Sequence, residues 1–130
     1  MKRVNPASLA KPSGFSHATV ATGTTVFLAG QTGMDVSGAI VDGGLVAQFE
    51  KALTNLLTAL AAAGGQPRDL ASMTVYIVDM DDYRAWAREI GEVWKRLIGT
   101  DYPAMAGIGI SRLWDAEALV ELQGFAVLPK

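Results

Sequence analysis

Apolar residues recur along this chain with two periods, and the switches between them mark out its elements. Leu45, Phe49, Ala52, Leu53, Leu56, Leu57 and Leu60 share one side of a helix, Gln48, Lys51, Asn55 and Thr58 lie towards the other, and Gly64-Gly65 supplies a stop. A second stripe, Tyr83, Trp86, Ile90, Val93, Trp94 and Leu97, stands opposite Arg84, Arg88, Glu92, Lys95 and Arg96. Asp82 is its predicted cap and Gly99 its stop, Glu92 and Arg96 are spaced for an i,i+4 pair, and both tryptophans are assigned to the core.

The remaining runs alternate as strands do. From Ser72, Met73, Val75 and Ile77 oppose Thr74, Tyr76 and Val78; both sets are largely apolar, which predicts a central strand. Val20-Ala21 and Val26-Phe27-Leu28 flank Gly23-Thr24-Thr25, which reads as a hairpin, and Ala39-Ile40-Val41 is a candidate short strand in the Gly-rich loop from Gly30 to Gly44. Residues 1–14, with two prolines and Gly14, read as an irregular arm. Two strands close the chain, around 104–111 and 119–128, joined near Trp114-Asp115. The order β-β-α-β-α-β-β predicts an α+β fold, a mixed sheet with two helices packed on one face, in a single domain spanning 1–130.

In the last strand Val120, Leu122, Ala126 and Leu128 form one face and Leu119, Glu121, Gln123, Phe125 and Val127 the other. An ionised carboxylate is costly to bury unpaired, so Glu121 must meet water, donors or a ligand. The apolar residues beside it are too many for a face left in water, which predicts self-association. In the strand before it, Met105, Gly107, Gly109 and Ser111 alternate with Ala104, Ala106, Ile108 and Ile110. If the two strands are neighbours, the glycines leave room near Glu121; the alternative is tight subunit packing with no cavity.

Composition narrows the chemistry. The chain has 130 residues, half of them hydrophobic and 18% charged, and a net charge of −2, with no basic footprint for nucleic acid. It has no cysteine and one histidine, His17, which leaves no thiolate or histidine-rich metal site and predicts no metal. Neither a secretory leader nor an apolar run of about 20 residues is present, so the expected location is cytoplasmic, with no membrane partner.

Three segments together resemble the YjgF-like, or reactive intermediate deaminase (Rid), family: Ala29-Gly30-Gln31-Thr32-Gly33, Thr74 to Tyr83, and Pro103-Ala104-Met105 through Leu119-Val120-Glu121. The resemblance implies the chorismate mutase-like fold of that family and a homotrimer with ligand clefts between subunits. It implies a hydrolase of the 2-iminobutanoate/2-iminopropanoate deaminase type, working without cofactor on a small enamine or imine. The acid matching Glu121 would hold the attacking water, and Gly30, Gln31, Met105, Gly107, Ser16 and His17 would line the cleft.

Two features depart from the usual pattern. The typical enzyme has an arginine at the position of Met105, gripping a substrate carboxylate, and often a cysteine at Gly107. Gly14-Phe15-Ser16-His17 is similar to the opening of subgroups lacking that arginine, among whose relatives are 2-aminomuconate deaminases. A charge-assisted contact of this kind is worth ~1.5–3 kcal/mol. Methionine supplies none of it, so 2-aminoacrylate is disfavoured and a neutral group is expected there. The alternative function is a non-catalytic trimer that binds a small molecule or a protein in the same cleft.

Overall fold

The computed structural model describes residues 1–130. A four-stranded mixed sheet is built from β3 (Thr24–Gln31), β6 (Val120–Leu128), β4 (Leu70–Ile77) and β5 (Ala104–Gly109), in that spatial order. β6 runs antiparallel to both β3 and β4, and β4 pairs with β5 in parallel. Helices α1 (Gly44–Ala62), α2 (Met80–Ala85) and α3 (Ala87–Leu97) complete the α+β fold. The parallel β4–β5 pair needs a crossover, and α2 with α3 supplies it.

The core is a cluster of 17 buried apolar residues between one sheet face and the helices. Phe49, Leu53, Leu56 and Leu60 of α1 meet Val120, Leu122 and Ala126 of β6 and Met73, Val75 and Ile77 of β4. Thus the apolar set assigned to β6 does form the core face, and β4 and β6 are the two interior strands. Behind α1 the chain turns at Ala63 and Gly64 (φ 93°), and Gly65 N–H donates to Leu60 C=O at 2.9 Å, so Gly64-Gly65 is the stop the sequence predicts.

Several expectations are corrected. Residues 1–14 are not wholly irregular: β1 (Lys2–Val4) pairs antiparallel with β2 (Ala18–Val20) in a separate two-stranded ribbon. β2 and β3 therefore do not form the predicted hairpin, because β2 pairs with the arm and β3 with β6. Ala39-Ile40-Val41 contributes only an isolated bridge, Met34 to Ile40. The second stripe is split at Trp86 into α2 and α3. Trp86 is consequently exposed, whereas Trp94 is buried as expected. The cap is Asp79, whose carboxylate accepts from Asp82 N–H at 3.1 Å, not Asp82. Glu92 pairs with Arg88 and Arg96 with Glu50, in place of the Glu92–Arg96 pair.

Gln48, assigned to the polar side of α1, is buried for a reason the helical period alone does not contain. Its amide N–H donates to Glu117 C=O at 3.1 Å and its carbonyl accepts from Leu119 N–H at 2.8 Å. These bonds satisfy the backbone of the loop just before β6. They set the entry of the strand that carries Glu121.

Candidate functional site

Strand pairing decides which side chains can meet. Glu121 sits opposite Tyr76, which in turn sits opposite Ile108, so all three project from the face away from the helices. Gln123 is next on β6 and accepts a long hydrogen bond, 3.4 Å, from the Tyr76 hydroxyl. Further along, Phe27 and Phe125 pack edge to face with ring centroids 5.5 Å apart. Phe27 is 77% exposed and Phe125 40%.

Glu121 is half-buried, and neither ion pair of the chain includes it. Its carboxyl group lies across Gly30, in the irregular stretch of β3 between Leu28 and Gln31. A Cβ at Gly30 would stand 2.9 Å from Cδ of Glu121, so the absent side chain is what lets the carboxylate lie there. Gly30 and Glu121 thus place a negative charge on an apolar sheet face, beside a phenol ring and a bare stretch of backbone.

Met105 and Gly107 are on the other face. They pair with Met73 and Val75, both buried against the helices. β5 is not beside β6, because β4 lies between them, and the glycines of β5 leave no room near Glu121 within one chain. Gly107 instead borders a cleft of about 260 Å³ on the helix side, walled by Phe15, Ile77, Tyr83 and Met105. A Cβ at Gly107 would meet nothing nearer than Ile77 Cδ1 at 3.7 Å, so this cleft has space for a ligand atom. Burial pushes the Tyr83 hydroxyl up to about 12, which keeps it a neutral phenol at ordinary pH.

The remaining predicted residues divide between these regions and the scaffold. Gln31 pairs with Leu122 and borders a different groove, along α1 beside Asp35 and Lys51. Within one chain it does not adjoin Glu121's carboxylate face. The Asp35 carboxyl in this groove is held below its usual range, first by the Ser37 hydroxyl at 2.6 Å and next by Ala39 N–H.

Ser16 is buried, donates to Tyr102 C=O at 2.7 Å and bridges to Ala104. It fastens the opening segment to the start of β5. His17 Nε2 is 2.7 Å from Ala10 C=O, which makes the Nε2-protonated ring the donor, and its ring packs edge to face on Phe15 at 5.2 Å. Both residues therefore support Phe15, which lines the cleft where neither of them does.

Phe15 and Tyr83 are the cleft residues that residue-by-residue reasoning passed over. A signal for each was present: Phe15 lies inside the Gly-aromatic-Ser-His segment, and Tyr83 ends the run Asp79-Met80-Asp81-Asp82-Tyr83. No group of three or more His, Asp or Glu side chains converges on a common point. No helix is long and apolar enough to cross a membrane.

The sequence model of a family described as endoribonuclease L-PSP matches residues 6–128. The RutC family protein UK114 of Drosophila melanogaster is 32% identical over 127 residues, covering 97% of this chain and 88% of that one. A 2-iminobutanoate/2-iminopropanoate deaminase of Capra hircus is 34% identical over 104 residues, covering 79% of this chain and 72% of that protein. The crystal structure of YyfB from Yersinia pestis, a Rid-family protein of unknown function, superposes with a TM-score of 0.84 at 33% identity, over 98% of each chain. The resemblance carried by Gly30, the Thr74–Tyr83 run and Glu121 therefore extends through the whole fold, and the chain belongs to the YjgF-like, or Rid, family.

Proposed function

We propose that this protein hydrolyses a neutral imine or enamine to a carbonyl compound and ammonia, in clefts formed where copies of the chain meet. The observation that carries this reading is the Glu121 carboxylate laid over Gly30, outside both of the chain's ion pairs and on an apolar sheet face. An acid in that setting is suited to orient water and take its proton. Similarity to deaminases at about a third identity supports the reaction class.

In the proposed step an enamine takes a proton at carbon and becomes the protonated imine, and water adds to its carbon. The water proton passes to Glu121, giving a carbinolamine. Glu121 returns that proton to nitrogen and takes the hydroxyl proton as the C–N bond breaks and the C=O bond forms, and ammonia leaves with that proton as ammonium. Atoms and charge balance without an oxidant or metal.

The opposite facing of Glu121 and Met105 supports an intersubunit site. One chain offers a carboxylate half on the open face and an apolar half at the β5 edge, and only two copies can bring them together. The sticky open face, with Phe27 and Phe125, supplies a reason for such copies to associate. The family resemblance implies three.

Imines generated in situ from neutral, aromatic and anionic amines test the proposal. Native protein is expected to accelerate their decay, and Glu121→Gln to lose about 10²–10⁴-fold of that acceleration. Neutral imines are expected to be the better substrates, and Met105→Arg to shift preference towards anionic ones by about tenfold. An intact assembly that accelerates no imine would overturn the enzyme.

That outcome would leave the second reading, a binding module on the same cleft, which the uncharged Met105 specifically favours. The ribonuclease in the family's description has little to act with here. The net charge is −2, and the single histidine is tied to Ala10. A small molecule is therefore the proposed ligand in preference to nucleic acid.

A further inference from the structure

Met105 and Tyr83 belong to two cavities. One is the cleft already described. The other, about 210 Å³, runs from Met105 and Gly14 into the layer between β5 and α3, walled by Tyr83, Ile90, Trp94 and Tyr102. Its size exceeds the about 150 Å³ of an apolar cavity known to take benzene in another protein.

Ala87, Ile90, Gly91 and Trp94 all line it, and their spacing of three and four places them on one face of α3. Trp94 and Tyr102 stack with centroids 6.1 Å apart, forming one end. The indole N–H of Trp94 has no hydrogen-bond partner and is out of reach of a water-sized molecule, so the indole offers a ligand its ring and not its donor.

We propose that this chamber receives the uncharged ring or branched aliphatic side chain of the ligand, held by apolar contact with the Trp94–Tyr102 stack and Ile90. This deepens the imine-hydrolase reading by naming the substrate class, imines of apolar and especially aromatic carbonyl compounds. Met105, half-buried and shared by both cavities, is the flexible part of the wall that admits the ring. The lining has no charged side chain, so an anionic group is excluded from the chamber on desolvation grounds.

Gly91 supplies a clean test. A Cβ there would meet nothing within 4 Å, and a larger residue replaces a glycine inside a helix, so Gly91→Leu fills the chamber without threatening the fold. Binding of acetophenone and of toluene is measured by the shift of the Trp94 indole N–H resonance and by equilibrium dialysis. Native protein is expected to bind both, within about threefold of each other, because the chamber holds the ring by apolar contact.

Gly91→Leu is expected to weaken both by about tenfold or more, with an unchanged or raised melting temperature. Native protein that binds neither probe, or a folded Gly91→Leu variant that binds both as well as native, would overturn the chamber.

The probes carry no imine, so the two proposals fail separately. Probe binding without imine hydrolysis sinks only the enzyme, and hydrolysis without probe binding sinks only the chamber. Glu121→Gln is expected to bind both probes like native protein; loss of probe binding in that variant, with the fold intact, would count against a chamber independent of the acid.

Discussion

The two faces of the four-stranded sheet come from the same strands and have opposite fates. On the helix side, Val120, Leu122 and Ala126 of β6 have no exposed surface, and each is packed by α1. On the open side the intervening residues, Glu121, Gln123 and Phe125, are half-buried or exposed, and Phe27 beside Phe125 is more exposed still. One face is finished by the chain itself. The other carries apolar rings and an acid, a mixture suited neither to water nor to a sealed core. The contrast separates residues that the chain packs for itself from residues for which it supplies no cover.

The largest effect on stability should therefore come from the closed face. Leu53 is fully buried at the centre of α1, and Leu53→Ala removes apolar contacts and leaves a cavity. Urea unfolding followed by circular dichroism is expected to show a loss of about 2–5 kcal/mol. A loss under about 1 kcal/mol would mean that the helix–sheet layer is loosely packed and that the contrast between faces is weaker than drawn.

A smaller effect belongs to Tyr83, at the margin between core and cleft. Burial disfavours its phenolate, so the folded pKa, about 12, lies above the ordinary 10.0. Its contribution to stability is complete below about pH 10 and is lost as pH rises towards 12, because the unfolded chain gives up the proton first. The loss across that window is about 2–3 kcal/mol. Tyr83→Phe should flatten the alkaline limb of the stability profile by that amount while leaving its slope at neutral pH unchanged. An unaltered limb would show that the hydroxyl is freely hydrated.

Much of the fold is legible in the sequence because periodicity reports which residues of one element share a face. The stripes of Leu53 and Trp94 and the alternation of Val120 and Leu122 needed no tertiary information. What periodicity omits is how elements are ordered and which sheet face each strand presents. Met105 and Glu121 each alternate correctly within their own strand. Whether they meet depends on β4 lying between β5 and β6 and on a pairing register in which a slip of one residue exchanges the faces.

The same limit hid the partner of β2, which is the distant segment Lys2–Val4, and the burial of Gln48, which follows from the loop at Glu117 and Leu119. Glu121 was legible because a charge in an apolar strand is anomalous whatever the topology. Tyr83 and Trp94 were legible only as apolar residues, since a helical stripe does not distinguish a packed ring from one that walls a cavity.

Phe27 and Phe125 should give the smallest change in the isolated chain and so test the open face most directly. Their edge-to-face pair contributes about 0.5–1.5 kcal/mol beyond area, and both rings already face solvent in one chain. Replacing both with serine is expected to lower the stability of the dissociated chain by about 1–2 kcal/mol, less than either change above. Assembly should respond very differently, because these rings are the largest apolar groups on the face proposed to meet other copies. Light scattering of the native protein is expected to give a multiple of 13.7 kDa, and the double variant to approach 13.7 kDa itself. Imine hydrolysis should then fall in step with the loss of assembly, although Glu121 and Met105 are both unchanged, because neither half-site completes the other within one chain. A double variant that stays assembled would move the contact elsewhere, and a dissociated one that retains full activity would mean that a single copy suffices, contrary to the opposite facing of its two halves.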